Sequence, residues 1–284
     1  MQLRRTKRTR LESYVSAEPS ATATARSFDK LSQFLGARVT LQPDYSTEII
    51  IPATDHLLDE TGRHGDLALM CAIDVATGMA SSMSKETTTA TLTSDLSVDM
   101  IAPPAPGPLR TTGRVVNVGK RIIMNQAIVT DSTSATVAFA TAGYAPIGEA
   151  KFNGAAHSLL GETQDLAAPE YAQTSIAEYY STAPSLEVPD AIASIELNEM
   201  TANPFGFLHG AVGAHLFLSG ARRHGIVRPN TFTVRYLRPV TQGPADVLVE
   251  DRFENGDVLG MRLSLIDRGT DKIASIAHVA GRTS

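Results

Sequence analysis

The 284-residue sequence predicts an α+β protein built from two tandem copies of one unit, in which a long buried helix is wrapped by an antiparallel sheet. Three observations predict this class. A His-Gly pair twice opens an apolar stretch of helical length, strand-like runs follow each stretch, and the landmarks after the helices recur at matched intervals. Such matched intervals rarely arise by chance, so we interpret the chain as an internal duplication.

The two helical stretches read GRHGDLALMCAIDVATGMA at residues 62–80 and GFLHGAVGAHLFLSGARRHG at residues 206–225. They predict helices over about residues 66–83 and 211–224. The first is apolar around nearly its whole circumference, and a helix of that kind is buried.

Each copy has one short predicted strand before its helix and four after it. The predicted strands are 47–51, 90–101, 109–118, 121–130 and 135–144 in the first copy and 193–199, 231–237, 245–253, 258–266 and 272–280 in the second. The interval from Gly107 to Asp131 equals that from Gly243 to Asp267, which aligns the two copies. An Asn-Gly pair at 255–256 is a strong hairpin signal, and successive strands joined by tight turns form an antiparallel meander.

This organisation divides the chain into a basic, flexible N-terminal tail (1–40), a first unit (41–150), a helical linker (151–190) and a second unit (191–284). The tail is rich in Arg and Lys, but the polar stretch that follows differs from the apolar centre of a secretory signal. A disordered tail is the favoured interpretation of this segment, and a transit peptide is the alternative that stays open. Apolar residues within 163–182 predict a connecting helix in the linker.

Composition excludes several classes of protein. The net charge of -5 provides no general attraction for nucleic acid or anionic membrane, and no apolar run approaches the roughly 18 residues that span a bilayer. The single cysteine, Cys71, excludes an internal disulfide framework and a cysteine-rich zinc site, and a cytoplasmic location fits it well. The seven histidines show no metal-binding spacing, so we expect no metal.

The first candidate for chemistry is Asp74, the carboxylate inside the first buried helix. An unpaired buried charge is costly, so Asp74 requires a partner, a raised pKa or a chemical role. A structural aspartate that is hydrogen-bonded to backbone or water is the equally open alternative. At the start of the second helix, the unpaired N–H groups after Gly210 favour a developing negative charge and predict an oxyanion hole.

The segment NPFGFLHGA at 203–211 resembles the N-x-x-G-x-x-H-G-G signature of the hotdog thioesterases related to the phenylacetate-pathway enzyme, with Ala211 in place of the last Gly. TSDLSVDMIAPPAPG at 93–107 and GRVVNVGKR at 113–121 are similar to the strand pair after the helix in that family. The resemblance covers most of 47–282. It implies two tandem hotdog units about a pseudo-two-fold axis, with their sheets joined edge to edge.

The same resemblance implies a function. It implies hydrolysis of the thioester of an acyl-coenzyme A, with no cofactor apart from the coenzyme A of the substrate. It also implies a homo-oligomer, a dimer of double hotdogs, because single-unit relatives form dimers of dimers. In that family each active site lies between two units: one provides the Asn and the His-Gly helix start, and the other an acid from mid-helix and a Ser or Thr from the next strand.

Transferring these roles residue by residue divides one site between the two copies. The second copy supplies Asn203, His209 and Gly210, and the first supplies Asp74 and Thr93. The resemblance implies that the Gly210 N–H, with Asn203, polarises the thioester carbonyl and that His209 orients the helix start. It further implies that Asp74 is the general base, or the nucleophile that forms an anhydride, and that Thr93 holds the attacking water.

The reverse combination of copies lacks the required groups, so we predict one working site and one degenerate site. The Asn position of the first copy falls on Leu58. In the second copy the acid falls on Leu218 or Ser219 and the hydroxyl residue on Pro229. His64 receives no catalytic role.

Two other functions stay open at this point. The chain could bind an acyl-CoA without hydrolysing it, or it could be a hotdog hydratase acting on an enoyl-CoA, although the sequence shows no clear equivalent of the hydratase signatures. Lys120, Arg121, Arg222 and Arg223 could meet the phosphates of coenzyme A. Solvated surface charge is the simpler interpretation of all four.

Overall fold

The computed structural model describes residues 29–84, 89–149, 160–171, 173–184 and 188–284. The helices in these ranges are α1 (Lys30–Phe34), α2 (Asp66–Met83), α3 (Ile176–Tyr180) and α4 (Gly210–Arg223), with 3-10 turns at Asp55–Leu57 and Pro169–Tyr171. The strands are β1 (Arg38–Leu41), β2 (Thr47–Ile51), β3 (Thr89–Met100), β4 (Leu109–Val118), β5 (Ile123–Thr130), β6 (Thr136–Glu149), β7 (Thr163–Asp165), β8 (Ala191–Ile195), β9 (Arg228–Tyr236), β10 (Ala245–Asn255), β11 (Val258–Asp267) and β12 (Lys272–Arg282). The α+β class is confirmed.

All twelve strands belong to one antiparallel sheet with the order β7-β1-β2-β4-β5-β6-β3-β9-β12-β11-β10-β8. The order is symmetric about the β3–β9 seam: β3-β6-β5-β4-β2 runs outward on one side and β9-β12-β11-β10-β8 on the other. The seam pairs residues 95–99 with 231–235, and Ser97 opposite Thr233 is its central pair. The Thr233 hydroxyl donates to the Ser97 hydroxyl oxygen at 3.3 Å. The two repeats therefore meet edge to edge.

Helix α2 is the centre of the first half and packs against β2, β3, β4, β5 and α4. Its approach to β4 requires Gly113, where an added Cβ would lie 2.6 Å from a backbone carbon of Ala76. By length and by its mean hydropathy of 1.2, α2 could span a membrane, contrary to the expectation that no run approaches that size. Because 72% of it is buried inside the protein, we interpret it as a core helix.

Two equivalent aspartates explain why the landmarks after each helix recur at one interval. Asp131 accepts a hydrogen bond from the Ala105 N–H at 2.9 Å, and Asp267 accepts one from the Thr241 N–H at 3.0 Å. Each carboxylate thus ties the loop before β4 or β10 to the end of the next strand. The interval is conserved between the repeats because the loop and its aspartate form one hydrogen-bonded unit.

The predicted tail boundary at residue 40 is wrong. Residues 1–28, with the basic cluster, lie outside the described residues, but folded structure is present from Asp29 onward. Helix α1 buries Leu31, Phe34 and Leu35 almost completely, and β1 pairs with β2. Apolar side chains spaced by three and four residues after an N-capping aspartate are the local signal of this helix.

The predicted connecting helix at 163–182 is also wrong. This segment contains the strand β7, which pairs with β1, then a 3-10 turn and the five-residue α3. The rings of Tyr171, Tyr179 and Tyr180 pack around Phe34 of α1, with ring centroids 5.2–6.0 Å from it. The aromatic spacing therefore reflects packing against α1 and not a helical period.

The other predicted elements occur close to their predicted positions. The helices begin and end within a residue of their predicted bounds, and β2 and β4 match theirs. The largest difference is β6, which continues to Glu149, five residues beyond its predicted end. The predicted hairpin is present, since β10 ends at Asn255 and Gly256, with a φ of 61°, begins the turn into β11.

Candidate active site

The start of α4 lies against the middle of α2, and Asp74 is the point of contact. Its Oδ2 accepts a hydrogen bond from the Ala211 N–H at 3.1 Å, and its Oδ1 lies 2.8 Å from the hydroxyls of both Thr93 and Tyr144. The residue is only 6% exposed. Donors from both repeats therefore hold one buried carboxylate, as expected for a charge that has left water.

Gly210 allows this close approach. A Cβ at this position would lie 2.8 Å from Asp74 Oδ2 and 3.2 Å from Thr93 Oγ1, which is too close for any larger residue without displacement. Its carbonyl oxygen accepts the Tyr236 hydroxyl at 2.8 Å. Its N–H has no acceptor among the described residues. Because it belongs to the first turn of a helix, this N–H can donate to a carbonyl oxygen of a ligand.

Two hydroxyl groups orient the carboxylate from the opposite side. The Thr93 hydroxyl donates to Asp74, so in this structure it holds the carboxylate. The Tyr144 hydroxyl also lies 2.9 Å from Thr77 Oγ1, and Gly78 leaves room for the Tyr144 ring, since a Cβ there would be 3.3 Å from it. Burial raises the pKa of Tyr144, and the negative charge of Asp74 raises it further, so the phenol stays a donor.

His209 caps α4 and lies between two buried carboxylates. Its Nδ1 accepts the Ala211 N–H at 3.1 Å and is 3.3 Å from Asp74 Oδ2, whereas its Nε2 is 3.7 Å from Asp29 Oδ2. Burial disfavours the charged ring, but Asp29 and then Asp74 outweigh it, so the pKa of His209 is raised above its ordinary value. Burial opposes ionisation of Asp29, but His209 outweighs it and lowers the pKa of that carboxyl.

Asn203 shapes the turn that leads into α4. Its side-chain oxygen accepts the N–H groups of Phe205 and Phe207 at 2.9 and 3.1 Å. The side-chain NH2 group has no acceptor among the described residues. The structure thus brings Asp74, Thr93, His209 and Gly210 together and places Asn203 in the preceding turn, where contact with a carbonyl oxygen stays a prediction.

The opposite helix start, at α2, has a different environment. His64 is 6% exposed, and neither ring nitrogen has a partner in the described part of the chain; burial lowers its pKa to about 4. A Cβ on Gly65 would meet nothing within 4 Å. Asp66 at the first helical position is paired with Arg222, at 2.6 and 2.9 Å. Among the described residues, no buried carboxylate from the other repeat lies at this helix start as Asp74 lies at the start of α4.

Three contributors to the site are absent from the sequence prediction: Tyr144, Tyr236 and Asp29. Gly78, one turn after Asp74 in a helix without other interior glycines, is a signal that a large side chain packs there. Asp29 could be found as a capping residue before an apolar, helically spaced segment. Nothing local marks Tyr236, because its hydroxyl meets the backbone of a distant turn.

Metal-binding clusters and surface cavities are the other features of the described residues that could indicate a site. Across the described ranges, no group of three or more His, Cys, Asp and Glu side chains is arranged to hold a metal ion, and the expectation of no cofactor stays a prediction. Two open surface cavities of about 260 and 340 Å³ lie on the β9–β12 half and include none of the residues around Asp74. The candidate site therefore rests on its hydrogen-bonding geometry.

No family model and no curated protein matches the sequence. Solved structures share the fold. An acyl-ACP thioesterase from Bacteroides thetaiotaomicron has a TM-score of 0.53 at 10% identity over 83% of this chain and 97% of that one. A protein named as a thioesterase II from Thermobifida fusca has a TM-score of 0.56 at 11% identity over 91% of this chain and 99% of that one. A 12:0-ACP thioesterase from Umbellularia californica has a TM-score of 0.50 at 10% identity over 83% of this chain and 93% of that one.

These structures establish the class of fold, which is that of the hotdog thioesterases, and confirm the resemblance predicted from the sequence at that level. Identities of 10–11% show the fold alone. A fold does not by itself assign a reaction, which depends on the residues of the site.

Proposed function

We propose that the chain is a double hotdog that hydrolyses the thioester of an acyl-coenzyme A at one composite site between its two units. One observation carries the proposal: Asp74 of the first unit accepts a hydrogen bond from the Ala211 N–H at the start of α4 in the second. This contact brings a buried carboxylate to the positive end of a helix, next to the Gly210 N–H, which has no acceptor in the described part of the chain. A carboxylate and an oxyanion donor are the two groups that metal-free acyl transfer to water requires.

In the proposed mechanism, the thioester carbonyl oxygen accepts the Gly210 N–H, and the first turn of α4 stabilises the negative charge that develops on it. Asn203, whose NH2 group lies in the turn before α4, is the second proposed donor. The Tyr236 hydroxyl on the Gly210 carbonyl and the His209 cap hold this turn in place. The oxyanion site is therefore preorganised by contacts that do not change during the reaction.

Asp74 then supplies the base. It takes a proton from a water molecule whose oxygen attacks the thioester carbon, and the tetrahedral intermediate collapses by breaking the C–S bond. The proton passes to the departing coenzyme A thiolate, so the products are a carboxylic acid and free thiol. Direct attack by Asp74 would instead form an anhydride, which water hydrolyses to the same products. In both routes Thr93 and Tyr144 hold the carboxylate.

A second candidate function is the hydration of an enoyl-CoA. The observation that favours it is the 3.3 Å separation of His209 Nδ1 and Asp74 Oδ2, because a histidine paired with an acid is the pair that adds water across a double bond. Binding without turnover is the third outcome, with Asp74 as a structural residue.

The remaining expectations belong to this proposal. Arg222 is engaged by Asp66, and Arg223 by Thr182, whereas Lys120 and Arg121 are exposed, which fits the solvated surface charge expected of them. We propose a homodimer of double hotdogs acting in the cytoplasm, with an acyl-CoA as partner and no role for nucleic acid.

The test is release of free thiol from a panel of acyl-CoA esters, from acetyl to palmitoyl and aromatic. Asp74→Asn is expected to remove nearly all turnover while acyl-CoA binding persists, because the base is lost and the shape is kept. Ser219→Ala, at one of the two positions of the second unit that correspond to Asp74, is the matched control and should keep activity. Wild-type turnover in Asp74→Asn would contradict the mechanism. Hydration of crotonyl-CoA would favour the hydratase, and binding of every ester without turnover would favour the binding role.

A further inference from the structure

We propose that Asp29 is a positioning residue of this site: from the segment before α1, its buried carboxylate holds the His209 ring so that Nε2 faces Asp29 while Nδ1 faces Ala211 and Asp74. The effect on rate rests on the proposed hydrolysis. The effect on His209 itself does not, which allows the two to be tested separately.

The geometry is a line of three buried side chains. Asp29, His209 and Asp74 expose only 8%, 7% and 7% of their side chains. The imidazole is 3.7 Å from one carboxylate through Nε2 and 3.3 Å from the other through Nδ1. Because the Ala211 N–H points at both Nδ1 and Asp74 Oδ2, the neutral ring carries its proton on Nε2, toward Asp29.

Asp29 is held firmly enough to do this. One carboxylate oxygen accepts the Ser32 N–H at 2.7 Å and the other accepts the Ser32 hydroxyl at 3.0 Å, so Asp29 is the N-cap of α1. Helix α1 is in turn anchored by the buried Leu31 and Phe34. The carboxylate therefore cannot rotate away from His209 without losing the cap.

The charges around His209 indicate what this contact controls. Burial disfavours the imidazolium, but Asp29 and Asp74 together raise the pKa of His209 above the ordinary 6.5. The other titratable groups of the cluster are a thiol and three phenols, and burial raises the pKa of each, so they stay protonated near neutral pH; they are Cys71, Tyr144, Tyr180 and Tyr236. Near neutral pH, His209 is therefore the group whose proton Asp29 controls.

This proton matters to Asp74. When the ring is charged, Nδ1–H can donate to Asp74 Oδ2 and competes with the proton that the carboxylate must take from water. When the ring is neutral, Nδ1 accepts the Ala211 N–H and leaves Asp74 available. Turnover should then rise as His209 loses its proton, and Asp29 keeps that limb of the pH profile at higher pH.

The experiment compares three full-length proteins: wild type, Asp29→Asn and Ser32→Ala. Asparagine keeps the N-cap and removes the charge. Ser32→Ala disturbs the same cap and leaves the charge, so it is the matched control. Two quantities are measured in each, the NMR titration of the His209 Cε1–H signal and the pH dependence of thiol release.

In Asp29→Asn, both the His209 titration and the rising limb are expected to move to lower pH, whereas in Ser32→Ala, which keeps the charge and the Ser32 N–H bond, both move much less. An unmoved His209 titration in Asp29→Asn would overturn the proposal, and so would equal effects of the two variants, which would indicate a structural role only. If no ester is hydrolysed by the wild type, the proposed function fails, and the NMR titration alone still decides whether Asp29 controls His209.

Discussion

Gly210→Ala tests the site most directly, because its effect follows from two distances. The new Cβ would be 2.8 Å from Asp74 Oδ2 and 3.2 Å from Thr93 Oγ1. Asp74 cannot retreat without losing the Ala211 N–H bond, and a charge-assisted bond of this kind contributes about 1.5–3 kcal/mol. Overpacking costs about 1–3 kcal/mol, and the gain in helix propensity on replacing Gly offsets up to about 1 kcal/mol of it. If both costs apply, the net loss of stability is therefore about 1.5–5 kcal/mol.

The loss of activity is measured separately on the folded protein. Misplacing the base and the oxyanion donor together is expected to lower kcat about 10²- to 10³-fold, the cost of losing one oxyanion-hole donor. The assay is kcat and KM from thiol release, with urea denaturation of the same preparations.

Gly65→Ala is the matched control at the other helix start, where a Cβ meets nothing within 4 Å. As an N-cap change it costs up to about 1 kcal/mol of stability and should leave kcat unchanged. A Gly210→Ala protein with the kcat of the wild type, or equal losses of activity in both variants, would refute the assignment of the working site to α4.

Three further predictions follow from the same structure. Thr93→Ala and Tyr144→Phe each remove one hydroxyl from Asp74 and should lower kcat about ten- to a thousandfold, while unchanged rates in thiol release would contradict their role in holding it. Burial holds the pKa of His64 at about 4, below its ordinary 6.5, so the contribution of the neutral ring to stability is fully present above pH 6.5 and is lost as the pH drops toward 4. His64→Leu should therefore reduce the difference between the free energies of unfolding at pH 7 and pH 5, measured by urea denaturation. An unchanged difference would mean that other groups cause it. Light scattering at micromolar concentration should give a dimeric mass, and a monomer would exclude the proposed assembly.

Much of the fold could be predicted because its elements have local signals. Apolar periodicity located α2 and α4, and the repeat aligned the strands of the two halves. Local pattern also indicated Asp74 and Gly210, because an aspartate inside a buried helix and a glycine at a helix start are unusual, whereas Thr93, Asn203 and His209 were indicated by the family resemblance. The composite nature of the site came from dividing the family's residues between the copies.

The rest depends on contacts between residues far apart in the chain. Tyr144 meets Asp74 across 70 positions, and strand alternation shows which face a side chain occupies but not which partner it meets. Asp29 reaches His209 across most of the chain and stands beside a basic segment whose composition dominated the interpretation of residues 1–40. The prediction of a helix in the linker was wrong for a related reason, because the aromatic residues that pack on Phe34 happen to be spaced as they would be on a helix.

The register of the β3–β9 seam sets the distance between the two halves of the candidate site. Each helix is carried by its own half of the sheet, so the pairing of Ser97 with Thr233 determines how far α2 is offset from α4. Slipping the seam by two residues, the smallest shift that keeps every side chain on its own face, would slide one half by about 7 Å. The Asp74 carboxylate would then lie beyond reach of the Ala211 N–H. Hydroxyl and ion-pair contacts along this seam, such as Arg235 with Asp95, thereby help to set the alignment of Asp74 with the start of α4.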